Sequence, residues 1–262
     1  MASFYIFIPS NSDANNLIGK FKVKLPETIR LDGEWEVSMR EFNYTRSWLN
    51  VGNEIDAQIQ VMNFPQMGGQ ISLSIPLNNY DTPQQLMDTI TYTINDFMKR
   101  VNLNKLPKYE LYFDETVGRS CFKNQQLSFY IITSKRVAYM LGFKDEQLNY
   151  IGHEYQEYLI TYADHPPDMN AGMYALMVHC DIVAPQLVGN TYANLLRIVP
   201  VSGRFNENIN TIYNDEQYVS VMQKNLDSIE ININDDSGKI VNFQFGRTFL
   251  TLHFRKRRRW VV

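Results

Sequence analysis

The sequence has little of the chemistry on which disulfide frameworks and most metal sites depend. Its 262 residues include two cysteines, Cys121 and Cys180, and four histidines, at positions 153, 165, 179 and 253. Two cysteines cannot form a disulfide framework in a chain of this length, and we expect both to be buried apolar thiols. The histidines form neither a His-x-His pair nor a His-Glu-x-x-His helix, so no metal site is predicted.

The motifs of common catalytic sites are absent as well. The sequence contains no Gly-x-Ser-x-Gly elbow, no Gly-x-Gly-x-x-Gly turn and no phosphate-binding loop. His179-Cys180-Asp181 looks like part of a nucleophile triad, but on a strand Cys180 points away from both neighbours. We therefore predict that the protein is not an enzyme and that it has no catalytic residue and no cofactor.

Long apolar runs are absent too. No run approaches the roughly 20 apolar residues that a membrane-spanning helix requires. The first eight residues carry no basic residue, and Pro9 ends their apolar run, so no signal peptide is predicted. We expect a soluble protein that is made inside the cell and does not bind a membrane.

Positive charge is concentrated at one place. Charged residues make up 20% of the chain, and the formal net charge is −3. Five consecutive cations stand near the C-terminus, and without them the net charge is −8; they are Arg255, Lys256, Arg257, Arg258 and Arg259. This cluster is a candidate contact for nucleic acid or another polyanion, and a nuclear-import signal and a solvated terminus are the alternatives.

Alternation of apolar and polar residues predicts β-strands towards both ends of the chain. Ile229, Ile231 and Ile233 share one face of a strand over 229–234, and a turn-forming Asp235-Asp236-Ser237-Gly238 follows. The same period of two predicts further antiparallel strands. They lie at 21–25, 34–42, 59–64, 71–75, 195–201, 240–245 and 248–254, and a strand buried on both faces is predicted over 173–183.

The middle of the chain has a different pattern. Asp81-Thr82-Pro83 offers a helix N-cap and an early proline, and apolar residues then recur every three or four positions up to Arg100. Ser134 and Gly142 bracket a second, short helix. With strands predicted at 109–113 and 127–133, residues 79–145 are expected to form a small α+β segment between two β-rich stretches.

Several sequence blocks carry a family resemblance. They are FKVKLP at 21–26, LDGEWEV at 31–37, MLGF at 140–143, ALMVHCDIVAPQLVGN at 175–190, LLRIVP at 195–200, QKNLDSIEI at 223–231 and FGRTFLTLHFR at 245–255. Together, and in this order, they make the chain resemble the minor capsid, or penton, protein of Polinton/Maverick elements and related adintovirus-type viruses. The resemblance spans essentially the whole chain.

The resemblance implies a mainly β protein: a single jelly-roll β-sandwich with a small α+β insertion. Its homopentamers would occupy the fivefold vertices of an icosahedral double-stranded DNA capsid, beside trimers of a double-jelly-roll major capsid protein. The protein would be part of the virion capsid, made in the host cytoplasm, with import into the nucleus left open. No Arg-Gly-Asp occurs in the chain, so a receptor-binding loop of that type is not expected.

On this interpretation the chain has four parts. Residues 21–78 and 146–254 form the jelly roll, and residues 79–145 form the insertion. Residues 1–20 form an N-terminal arm, and residues 255–262 form a basic C-terminal tail that could contact packaged DNA. The candidate inter-subunit contacts in the arm are Phe4, Tyr5, Ile6, Phe7 and Ile8.

Two other classes of function remain open from the sequence. One is a jelly-roll module that binds a carbohydrate or a receptor through a groove of exposed aromatic side chains. Its candidates are Tyr109, Tyr112, Tyr155, Tyr158 and Tyr162. The other is a β-sandwich enzyme, which would gather polar side chains or a metal ion in a pocket.

Overall fold

The computed structural model describes residues 2–62, 69–101, 108–124, 130–148 and 159–257. Contacts within the chain divide it into two compact units. The first unit consists of Met1–Trp48 and Met173–Val262, and the second consists of Leu49–Gly172. The second unit therefore interrupts the first in sequence, as expected for an insertion.

Strands form most of the regular structure. The first unit begins with β1 (Ser3–Pro9), β2 (Lys20–Arg30) and β3 (Trp35–Thr45). The strands of the second unit are β4 (Gln58–Met62), β5 (Ile71–Ser74), β6 (Tyr109–Asp114), β7 (Arg119–Asn124), β8 (Tyr130–Thr133), β9 (Gln147–Leu148) and β10 (Leu159–Tyr162). The first unit then resumes with β11 (Ala175–Cys180), β12 (Gln186–Val188), β13 (Thr191–Ala193), β14 (Leu195–Pro200), β15 (Asn208–Ile212), β16 (Val219–Ser220), β17 (Asn225–Asn234) and β18 (Thr248–Lys256).

The first unit contains two antiparallel sheets. The five-stranded sheet has the order β1-β18-β3-β15, and β16 also pairs with β3. The four-stranded sheet has the order β14-β11-β17-β2, and β12 and β13 form a separate hairpin. Every pairing joins strands that are distant in sequence or lie across a turn, which is typical of a jelly roll. The predicted mainly β fold, a jelly-roll sandwich with a small α+β insertion, is confirmed.

The core of the first unit follows from the period of two. Ile229, Ile231 and Ile233 of β17 are fully buried, as are Leu250 and Leu252 of β18. Their polar neighbours in sequence lie on the opposite faces of the same strands, because successive side chains in a strand alternate. The sequence pattern thus assigned the buried face of both strands correctly.

The second unit has its own core. It contains the sheets β5-β4-β8-β9 and β10-β7-β6, the helix α1 (Pro83–Arg100) and the helix α2 (Lys135–Leu141). Thr82 Oγ1 accepts a hydrogen bond from the Gln85 N–H at 3.1 Å, and Ser134 Oγ accepts one from the Val137 N–H at 3.2 Å. Both predicted N-caps are therefore present, and each satisfies an amide that the helix itself cannot.

The limits of the insertion differ from the prediction. The second unit extends over Leu49–Gly172, whereas the predicted insertion covered 79–145. Because β4 and β5 alternate like the other predicted strands, the sequence places them in the jelly roll. In the structure β4 pairs with β5 and β8 of the second unit. Alternation identifies a strand but does not specify its partner.

Two local strand predictions are corrected. Residues 240–245 do not form a strand; Ile240 makes an isolated bridge to Asn234, although Val241 and Phe243 are buried. Residues 173–183 do not form a strand buried on both faces. In β11 buried residues alternate with half-buried ones, because no layer of the first unit covers Met177 and His179 completely.

Candidate interaction surface

The five-stranded sheet of the first unit carries a polar face opposite the core, called here the outer face. Tyr5 of β1 lies opposite His253 of β18, which lies opposite Ser38 of β3. Similar rows of partners cross the sheet on either side of this one. The outer face comprises Tyr5, Phe7, Glu36, Ser38, Glu41, Asn43, Phe249, Thr251, His253 and Arg255.

A half-buried network is centred on His253. Its Nδ1 lies 2.8 Å from Glu216 Oε1 and 2.8 Å from the Tyr218 hydroxyl oxygen, and the Tyr218 hydroxyl also donates to the Glu216 carboxylate. The Tyr5 ring stacks on the imidazole with centroids 4.4 Å apart. The network fixes the segment before β16 onto the outer face, because each polar group has a partner there.

The network changes the acidity of its members. Burial alone would raise the pKa of Glu216, but hydrogen bonds from Tyr218 and His253, with the positive charges of His253 and Arg40, hold that pKa below its ordinary value. Burial, and then the neighbouring Glu216 carboxylate, raise the pKa of the Tyr218 hydroxyl. Glu216 is therefore an ionised acceptor at neutral pH.

The basic cluster begins inside β18 and is not entirely a tail. Arg255 Nε donates to Glu36 Oε1 at 2.6 Å, and the Arg255 guanidinium carbon lies 3.3 Å from the centroid of the Tyr218 ring. Lys256 and Arg257 are exposed, while Arg258 and Arg259 lie outside the described residues. Since Arg255 is engaged within the chain, the predicted polyanion contact remains a prediction for the other cations.

The predicted N-terminal arm is a strand of its own chain. Phe4, Ile6 and Ile8 of β1 face the core, and Phe4 stacks on Phe254 with centroids 4.9 Å apart. Tyr5 and Phe7 face outwards, and 52% and 69% of their surfaces are exposed. The prediction of an N-terminal arm over residues 1–20 is corrected for Ser3–Pro9, which pair with β18 of the same chain. A contact of these residues with another subunit remains a prediction, and it would involve the exposed side of β1.

A shallow groove of about 600 Å³ lies at the end of the outer face where β18 begins. Phe7, Phe249 and Arg247 line it together with Asn11, Asn43 and Asn208. The lining contains one cation and no carboxylate, so the groove lacks the acid–base pairs of a hydrolytic site.

Neither cysteine forms a disulfide, and both are buried as predicted. Burial raises the pKa of the Cys180 thiol to about 12. Cys180 belongs to the core, whereas the Asp181 carboxylate accepts a hydrogen bond from the Glu230 N–H at 2.9 Å. The structure therefore does not assemble a triad from His179, Cys180 and Asp181.

The described part of the chain contains no group of three or more histidine, cysteine or acidic residues that could hold a metal ion. His153 lies outside that part. Within the same ranges, no helix is both long and apolar enough to cross a membrane.

The tyrosines proposed for a carbohydrate site are only partly gathered. Tyr112 of β6 and Tyr162 of β10 lie on either side of Cys121, on one face of the β10-β7-β6 sheet. Tyr109 packs against Phe122 in the core of the second unit, with ring centroids 6.4 Å apart. Tyr155 and Tyr158 lie outside the described residues.

The sequence did not reveal the network around His253. Glu216 and His253 are 37 positions apart, and their segments meet only because β16 and β18 both pair with β3. No local spacing encodes this meeting. The only sign of it in the sequence is a histidine at an outward position of a strand.

Comparison with known proteins gives a match in fold only. No family model matches the sequence, and no curated protein matches it. The crystal structure of the mavirus penton protein aligns with 98% of this chain and 100% of its own length, with a TM-score of 0.53 and 11% identity. Domains of the flagellar cap protein FliD from Escherichia coli align with a TM-score of 0.13, which is too low to indicate similarity. The chain has a penton-like fold.

Proposed function

We propose that the protein is a structural capsid component: a penton whose homopentamers occupy the fivefold vertices of an icosahedral double-stranded DNA capsid. The observation that carries the proposal is the alignment of the whole chain, both units included, with the whole mavirus penton protein. A fragment shared with many β-sandwich proteins would not cover both chains from end to end. The sequence blocks at 175–190 and 245–255 support a source among Polinton/Maverick elements or adintovirus-type viruses.

The surface of the first unit supports the same proposal. A vertex protein needs a rigid body and wide contact areas rather than a reactive pocket. The outer face provides exposed aromatic side chains beside polar groups whose orientations are fixed by hydrogen bonds. The partners would be four further copies of the chain and a double-jelly-roll major capsid protein. The protein would then be located in the virion after synthesis in the host cytoplasm.

Assembly with the major capsid protein tests this proposal. Both proteins are co-expressed, and the resulting particles are imaged by cryo-electron microscopy with icosahedral averaging. We expect density for five copies of the two-unit chain at each fivefold vertex. Complete shells in which this chain is absent from the vertices, or is bound elsewhere, would contradict the proposal.

The role of the basic cluster needs a separate test. Lys256, Arg257, Arg258 and Arg259 are replaced by serine, while Arg255 is retained because it binds Glu36. We expect weaker binding to duplex DNA and a salt dependence whose slope falls by about 0.9 for each lost phosphate contact. Replacement of Lys20, Lys22 and Lys24 on β2 provides a control of similar charge. Equal effects of the two sets would contradict a specific role for the C-terminal cluster.

A further inference from the structure

The two edges of the five-stranded sheet differ from the other edges of the first unit. The edge strands of the four-stranded sheet are protected: β2 carries Lys20, Lys22 and Lys24 in alternation, and β14 contains Arg197 and ends at Pro200. Charges and proline on an edge strand discourage pairing with another chain. By contrast, β1 (SFYIFIP) and β15 (NINTI) carry no charged residue, and although β1, like β14, ends at a proline, its residues Ser3–Ile8 contain neither charge nor proline.

Both of these edges present backbone groups for pairing. Lys256 N–H donates to the Ala2 carbonyl at 3.1 Å, and because bonding residues alternate in an antiparallel ladder, the amides of Phe4, Ile6 and Ile8 also face β18. The amides of Ser3, Tyr5 and Phe7 therefore face the open side. Each of these three residues has an N–H group that β18 cannot satisfy.

The same reasoning applies to β15. Arg46 N–H donates to the Glu207 carbonyl at 2.9 Å, and Tyr213 N–H donates to the Arg40 carbonyl at 2.9 Å. The intervening bonds to β3 consequently belong to Ile209 and Thr211, and Asn208, Asn210 and Ile212 direct their backbone groups outwards. The two edges thus offer ladders of equal length, three residues each.

The strand directions suit pairing between copies. All pairings in the order β1-β18-β3-β15 are antiparallel, so β15 runs opposite to β1. Rotation about an axis parallel to the strands leaves strand directions unchanged. A neighbouring copy generated by such a rotation would therefore bring its β15 antiparallel to β1 and would continue the alternation of the sheet.

We propose that adjacent copies of the chain join edge to edge, with β1 of one copy paired to β15 of the next and Tyr5 opposite Asn210. This inference rests on the proposed function, since it specifies how the ring closes. The contact is head-to-tail: each copy uses one edge on each side, so five copies can form a closed ring that leaves no edge of the five-stranded sheet unpaired. Backbone bonds supply the attachment, and the exposed rings of Tyr5 and Phe7 pack beside it.

Disulfide trapping tests the pairing. The double variant Tyr5→Cys/Asn210→Cys places one cysteine on each edge, and partners in a ladder are about 4.5–5.5 Å apart between Cα atoms, which suits a disulfide. The native Cys121 and Cys180 are buried and should remain inert. The matched control is Lys22→Cys/Ile198→Cys, which places exposed cysteines on the two edges of the four-stranded sheet.

After oxidation, we expect the Tyr5→Cys/Asn210→Cys protein to give a series of cross-linked bands, from two to five chains, on a non-reducing denaturing gel. Reductant should return these bands to a single chain. The control should remain a single chain. Cross-linked bands from the control alone would overturn the inference. A pentamer in light scattering without cross-linked bands from Tyr5→Cys/Asn210→Cys would also overturn the inference, while leaving the proposed function intact. Absence of any pentamer, both with and without the major capsid protein, would instead refute the proposed function and the inference with it.

A charge on the edge gives an independent readout. Phe7→Lys gives β1 the kind of side chain that protects β2, and we expect it to raise the concentration at which the pentamer dissociates at least tenfold. Tyr92→Lys, on the exposed face of α1, is the matched control and should leave that concentration unchanged. An equal effect of both changes, or no effect of either, would contradict pairing through β1.

Discussion

A substitution of Gly246 tests how closely the backbone packs against Thr45 beside the outer face. Its φ is +92°, a left-handed conformation that disfavours any residue with a Cβ. A Cβ at this position would also lie 2.5 Å from Thr45 Cβ. Thr45 cannot turn away freely, because its hydroxyl donates to Asn208 Oδ1 at 2.7 Å.

Gly246→Ala should therefore carry two costs. The left-handed backbone costs an alanine about 1–2 kcal/mol, and the overlap with Thr45 should add about 1–3 kcal/mol as the surrounding side chains shift. Gly238→Ala is the matched control, since its φ is +83° and nothing lies within 4 Å of its Cβ. It should carry the backbone cost alone.

Urea unfolding followed by tryptophan fluorescence measures the difference. Trp35 and Trp48 belong to the first unit, and residues 49–172 contain no tryptophan, so the signal does not report directly on the second unit. With a slope of about 2 kcal/mol per molar urea, each kcal/mol lowers the midpoint by about 0.5 M. Equal midpoints for Gly246→Ala and Gly238→Ala would refute the close approach of Gly246 to Thr45.

Two further predictions concern the same unit, and a third concerns one cysteine in each unit. The pKa of Glu216 in the folded protein lies below its ordinary value of 4.5, so the stabilisation by the ionised carboxylate is complete above pH 4.5 and is lost as the pH falls through the folded pKa. Glu216→Gln should therefore reduce the free energy of unfolding at pH 7 by about 1–2 kcal/mol and flatten the dependence of that free energy on pH below 4.5. An unchanged pH profile would contradict the network. Phe254→Ala should reduce the free energy of unfolding by about 3–5 kcal/mol because the side chain is fully buried. Phe249→Ala, on the outer face, should reduce it by about 1 kcal/mol or less. The reverse order would mean that the two faces of β18 are misassigned. Cys121 and Cys180 should react with a thiol reagent only after unfolding, and rapid labelling of the native protein would contradict their burial.

The sequence predicted elements whose cause is local. Ile229, Ile231 and Ile233 specify one buried face of β17 regardless of its neighbours, and Thr82 with Pro83 specifies where α1 begins. Such features depend on spacing within a few residues, because strand alternation and helix capping are short-range effects. They sufficed to predict β-rich ends and an α+β segment between them, whereas the jelly roll itself was implied by the family resemblance.

The features that the sequence did not predict depend on distant partners. The insertion begins earlier than the sequence predicts because β4 pairs with β8, some 70 residues later in the chain. The sequence places Arg255 in the basic C-terminal tail, as a candidate polyanion contact, but Glu36 on β3 binds it inside the sheet. Residues 240–245 alternate like a strand and yet make only an isolated bridge, since burial of Val241 and Phe243 does not require a ladder.

The mass of the purified protein in solution tests the central claim most directly. Size-exclusion chromatography with light scattering, over a hundredfold range of concentration, should give a species of about 153 kDa, five times the 30.6 kDa of one chain. The same measurement is repeated with the major capsid protein present, where the pentamer should persist or bind. A chain that remains a 30.6 kDa monomer at every concentration, with and without the major capsid protein, would contradict the account.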